Sequence, residues 1–132
     1  MVEGPAGIRR VRAALKKHRI DLKGRVFTSR DPGMDLVRLQ LKREATPDGF
    51  EQWQLPVTLE GPAFFFVTVA APGAVLPEHA HARDLFRIVI SGSIYVNGHE
   101  LKPGDWMFVP KGIPYSYSAP FNPGAITYHC YG

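Results

Sequence analysis

The apolar positions along this chain change period once, near Gly24. Before it, Ile8, Val11 and Leu15 recur at helical spacing. Pro5 suits a first helical turn and Gly24 a stop, so the pattern predicts a helix over residues 5–20. After Gly24, apolar and polar residues alternate. In Asp35–Arg43, Val37, Leu39 and Leu41 face one way and Arg38, Gln40 and Lys42 the other. In Glu51–Leu59, Trp53, Leu55, Val57 and Leu59 alternate with Gln52, Gln54 and Thr58. Both read as half-buried strands, joined by a loop with the turn residues Pro47, Asp48 and Gly49. Phe64–Ala70 is a denser apolar strand; Leu85–Ile90, Ser93–Val96, Trp106–Val109, Tyr115–Ser118 and Ala125–Tyr131 follow. Asn97-Gly98 predicts a hairpin turn, because both residues tolerate positive φ. Short strands at regular spacing, punctuated by 13 Gly and 12 Pro, predict an antiparallel sandwich or barrel.

Length and charge refine this picture. A chain of 132 residues, 45% hydrophobic and 21% charged, suits one globular domain. Residues 1–24 form a basic N-terminal helix that is not a domain of its own, and residues 25–132 form the strand-rich domain. The longest apolar stretch, around Ala63–Ala71, is too short to span a membrane, and no apolar segment follows the charged N-terminus as in a signal peptide. The single cysteine, Cys130, has no internal partner and suits a reducing cytoplasm, the expected compartment; it reads as a small core residue rather than a nucleophile. The net charge of +4 is uneven: residues 1–25 hold eight basic side chains against Glu3 and Asp21, a local +6, which leaves −2 for the remainder. The preferred account is a solvated helix docked on the strands through Ile8, Val11 and Leu15. A nucleic-acid-binding arm is not favoured, since one helix is too short for a helix-turn-helix and nothing else supports it.

Two segments carry candidate chemistry. The first runs from Gly73 through His79, His81 and Leu85 to Gly92; the second runs from Gly104 through Pro110 and Gly112 to Tyr115. The Gly, His-x-His and Gly spacings of the first and the Gly, Pro and Gly of the second resemble the two motifs of the cupin family. The resemblance covers residues 73–115. It implies an all-β fold, an antiparallel barrel of the cupin jelly-roll type with a short N-terminal helix. It also implies a pocket for a small-molecule ligand and a metal site. Two of the family's four usual ligand positions differ here: the acidic one falls on Leu85, and the last histidine falls on Tyr115.

Residues i and i+2 of a strand share a face, so His79 and His81 are expected to project inward together. Two neutral imidazoles make half of a site for a divalent transition metal such as Fe, Mn, Ni, Cu or Zn. Tyr115 and His129 are the candidates to complete it. A phenol must lose a proton to ligate, against a reference pKa near 10; His129 reaches the pocket only if its face of the last strand, shared with Thr127 and Tyr131, points inward. Asp84 is one residue short of the acidic position and is expected to point outward, and His18 and His99 are expected to be exposed. Leu85, Arg87, Tyr115 and Tyr117 are expected to line the substrate pocket. The run from His79 to Gly92 is also similar to gentisate-type ring-cleaving dioxygenases, which lack the acidic ligand and carry an arginine at the position of Arg87. A guanidinium there suits a carboxylate or phenolate, or else a rim salt bridge. The sequence thus points to a small-molecule-binding cupin holding a divalent metal, with dioxygenase-like or isomerase-like chemistry open to it. The alternative is a metal-free cupin acting as a ligand-binding or interaction domain. A homodimer is expected, with Trp53, Leu55 and Phe64–Phe66 as apolar contact candidates.

Overall fold

The structure is a computed structural model that describes residues 4–59 and 63–132; Glu3, counted in the charge above, lies outside the described residues. The chain divides into two compact units: Met1–Leu22 with Asp31–Thr58, and Lys23–Arg30 with Leu59–Gly132.

The first unit is helical. Helix α1 spans Gly4–Lys17 and helix α2 spans Met34–Gln40, and the two touch. The buried stripe of α1 is Gly7, Val11 and Ala14, whereas Ile8 is exposed and Leu15 half-buried. The expected stripe is therefore rotated toward smaller residues. The strand expected over Asp35–Arg43 is instead α2. Met34, Val37 and Leu41 are buried and follow the 3–4 helical spacing, while Leu39, which alternation would bury, is 64% exposed. Val37 and Leu41 satisfy both periods, and the segment is too short for its pattern to separate them. Glu51–Leu59 is no strand either: one isolated bridge joins Lys42 to Trp53, whose ring lies 3.9 Å from the Arg38 guanidinium. Trp53 and Leu55 are half-buried there.

The second unit carries the strands: β1 (Phe27–Thr28), β2 (Phe64–Ala70), β3 (Val75–His79), β4 (Leu85–Gly92), β5 (Ile94–Val96), β6 (His99–Leu101), β7 (Trp106–Val109), β8 (Tyr115–Ser118) and β9 (Ala125–Tyr131). One sheet runs β1-β7-β4-β9-β2 and the other β3-β8-β5-β6, with every named pairing antiparallel. Among the described residues the sheets share no strand, so this jelly roll is a two-sheet sandwich and not a closed barrel. Leu85, Val89, Met107 and Val109 of the first sheet meet Ile94, Val96, Leu101 and Tyr117 of the second in one apolar core.

Two local features fix the chain's path. Asn97-Gly98, with φ of 51° and 78°, turns β5 into β6 as predicted. Gly92 ends β4 at φ 69°, and a Cβ there would fall onto the carbonyl oxygen of Gly124. A residue with a side chain therefore fits neither the backbone angle nor the space.

Candidate functional site

The site forms where β3 ends. His79 is the last residue of β3 and sits opposite Tyr115, the first of β8. His81 lies past the strand end, in the β3–β4 turn, and its carbonyl accepts a hydrogen bond from the Gly112 N–H at 2.8 Å. Strand alternation is thus not what aligns the two histidines. A register irregularity between Leu76 and His79, and the pinned turn, bring the rings together.

Their geometry is specific. His79 Nε2 lies 3.0 Å from His81 Nε2, and the His81 Nε2 lies 3.2 Å from the Tyr115 hydroxyl and 3.5 Å from that of Tyr131. His79 Nδ1 lies 2.8 Å from the Pro77 carbonyl oxygen. A carbonyl only accepts, so Nδ1 carries the proton and the neutral ring presents a bare lone pair at Nε2. That lone pair faces the other imidazole. Two nitrogens 3.0 Å apart match adjacent ligand positions on one ion with bonds of about 2.1 Å. The backbone-bound Nδ1–H is also the usual outer support of a ligating histidine. Without a cation, His81 satisfies the pair by donating its own Nε2–H. The pair thus supplies two of the ligands a metal would need, and among the described residues no third His, Cys, Asp or Glu joins the two histidines.

Protonation favours neutral groups. Burial, then the charges of His79 and Arg87, lower the pKa of His81 below the ordinary 6.5. Burial raises the Tyr115 phenol above 10 despite the opposing pull of Arg87, so Tyr115 offers an O–H at neutral pH. Around this pair the first sheet supplies its inward face, because the β4–β9 register sets Leu85 opposite Tyr131, Arg87 opposite His129 and Val89 opposite Thr127. His129 does point inward. Its Nδ1 lies 3.4 Å from Thr68 Oγ1 and its ring stacks on Phe66 at 5.0 Å. Burial, then Arg87 and His81, lower its pKa to about 4. Thr68 and Phe66 hold this ring, and it stands apart from the His79–His81 contact.

Arg87 is 3% exposed. Its Nη1 donates to Thr127 Oγ1 at 2.7 Å and its guanidinium lies 4.8 Å over the Tyr117 ring, while its Nε has no hydrogen-bond partner among the described residues. A rim position is excluded by this burial. Leu85 is fully buried and belongs to the core. Asp84 braces the turn, accepting from the Lys111 N–H at 2.8 Å. His18 and His99 are half-buried, not exposed, with His18 Nε2 3.1 Å from Gln40 Oε1. Cys130 is buried and its thiol pKa is raised by that burial, as suits an inert core residue. Tyr131 is the site residue that reasoning from the sequence passed over. Its signal was present: it alternates with His129 and Thr127, and one inward residue on that strand implies all three.

Residues 66–128 match the family model of the Cupin domain, and this unit has the cupin fold. No curated relative matches the sequence. Three solved structures illustrate the likeness. A protein of unknown function with a cupin-like fold from Ralstonia eutropha JMP134 is 21% identical over 53% of this chain, at a TM-score of 0.48. A chain from the complex of Rhodobacter sphaeroides SigE with the anti-sigma ChrR is 16% identical over 55%, at 0.50. Salicylate 1,2-dioxygenase from Pseudoaminobacter salicylatoxidans is 19% identical over 52%, at 0.41. The likeness is one of fold, and the aligned segments span 46%, 40% and 19% of those chains. Among the described residues no helix is long and apolar enough to cross a membrane.

Proposed function

We propose that this chain is a small-molecule-binding cupin in which His79 and His81 hold a divalent transition metal and Tyr115 adds a hydroxyl at the same centre. The observation that carries the reading is the His79–His81 pair: two Nε2 atoms 3.0 Å apart, one with its lone pair fixed by the Pro77 carbonyl. When bound, such an ion supplies Lewis-acid polarisation and open positions for oxygen or substrate, the basis of dioxygenase-like or isomerase-like chemistry. The chain's own residues supply the rest. Tyr115 and Tyr131 present hydroxyls that donate to, or accept from, a bound ligand. Arg87 is a buried cation behind them, and its field favours anionic ligands.

Elemental analysis of protein purified without an affinity-metal column tests this. Stoichiometric metal in the wild type and none in His79→Ala is expected. Tyr115→His, which adds a neutral imidazole with no deprotonation cost, is expected to bind more than tenfold tighter. A second reading, a metal-free ligand-binding or interaction domain, is favoured by the lack of a third His, Cys, Asp or Glu among the described residues. If the wild type and Tyr115→His are both empty, this second reading replaces the first.

A further inference from the structure

Helix α1 buries small apolar residues on one side and turns only cations to solvent on the other. Gly7, Val11 and Ala14 are buried, and the Gly7 carbonyl accepts a hydrogen bond from Gln54 Nε2 at 3.1 Å. The opposite side carries Arg9, Arg12, Lys16 and Lys17, all exposed, with the half-buried Arg10 at its margin and Ala6 and Ala13 among them. None of these five cations makes an ion pair among the described residues. A helix kept for its own stability places carboxylates in its first turn and four residues before its lysines and arginines. This one has no acidic residue in its first turn, and no carboxylate occurs from Gly4 to Ile20. Arg9 with Arg12, and Arg12 with Lys16, set like charges at the spacings where they repel. The face therefore weakens the helix until an anion lies against it.

We propose that the solvent face of α1 lies in the major groove of double-stranded DNA and binds the phosphates on both walls. The cations are spread as a groove requires. At about 100° per residue, Arg12 and Lys17 stand about 140° apart with Arg9 and Lys16 between them, and Arg10 widens the arc to about 160°. A flat anionic membrane would meet only the middle of that arc, whereas the two strands of a groove meet its flanks. Val11 and Ala14, the apolar side of the helix, are buried and cannot enter a lipid layer. The widths agree: a helix about 10–12 Å across fits the B-DNA major groove of about 12 Å, while the A-form groove of RNA is too narrow. Guanidinium groups on the flanks suit phosphate oxygens, which accept paired hydrogen bonds. One helix is too short for a helix-turn-helix, but contact with phosphates needs no second helix and carries no sequence information. The surface is separate from His79 and His81 and does not depend on metal.

Fluorescence anisotropy of a labelled DNA duplex of about 20 base pairs, titrated with the full chain in chelator, tests this. Five phosphate contacts give a log–log salt slope of about −4.5, so affinity should fall about 500-fold between about 50 and about 200 mM salt. The triple variant Arg9→Gln, Arg12→Gln, Lys16→Gln removes three contacts with a good helix former. It should bring the slope to about −1.8 with an unchanged far-UV CD spectrum. Arg9→Lys with Arg12→Lys keeps the charge and should keep the slope. Arg83→Gln, Lys102→Gln, Lys111→Gln together remove the same charge from exposed positions of the second unit, and should leave the affinity within about twofold of wild type. A wild type that leaves the duplex free at about 50 mM salt overturns the proposal. Equal losses in the two glutamine variants overturn it too, because net charge alone then explains binding. So does an RNA duplex that binds as tightly as DNA. A chain that sediments with phosphatidylcholine–phosphatidylserine vesicles while leaving DNA free has a membrane face instead, and that outcome also overturns it.

Discussion

His129 gives a stability prediction whose size follows from its surroundings. Burial, then the charges of Arg87 and His81, hold its folded pKa at about 4, against 6.5 for an unperturbed imidazole. The unfolded chain therefore takes up a proton near pH 6.5, while the folded chain refuses it until about pH 4. In that window the unfolded state binds more protons, so stability is fully present above pH 6.5, falls as the pH drops and levels off below about 4. The depression corresponds to about 3 kcal/mol, which solvent screening of a half-buried ring reduces to about 2 kcal/mol. The assay is urea unfolding between pH 7 and pH 4, with chelator present, on the wild type and His129→Gln. Glutamine keeps a polar partner for Thr68 and has no proton to gain. The wild type should lose about 2 kcal/mol more than the variant across the range. Two curves that run parallel would refute the reasoning and mean that the ring is solvated in the folded protein.

Three further outcomes follow from the same geometry. Arg87→Met removes a positive charge that lowers the His129 pKa, so the imidazole titration followed by NMR should move upward; stability should change little, because a buried cation with an unpartnered Nε gives way to an apolar side chain of similar length. Leu85→Glu places a carboxylate in the core at the family's acidic position; without metal it should destabilise by more than 2 kcal/mol in urea, and part of that loss should return on adding metal only if His79 and His81 hold the ion. Gly92→Ala should cost about 2–4 kcal/mol by the same assay, since its Cβ meets the Gly124 carbonyl at a positive φ.

The sequence by itself determined the second unit almost strand by strand from Phe64 onward. Alternation and turn glycines are local signals, and the spacing of Gly73, His79, His81, Gly92, Gly104, Pro110 and Gly112 identified the cupin pattern. Val37 and Leu41 fit a strand and a helix equally, so only packing decided that Met34–Gln40 is helical with Leu39 outside. The site's composition divides along the same line. His79, His81 and Tyr115 were legible from spacing. That His129 and Tyr131 face inward depends on the register of β9 against β4, a pairing about forty residues apart that leaves no local trace. The convergence of the two imidazoles depends on an irregular strand end and on the Gly112–His81 hydrogen bond, and neither follows from strand periodicity. Periodicity specifies which side of an element a residue occupies; only long-range pairing specifies what that side meets.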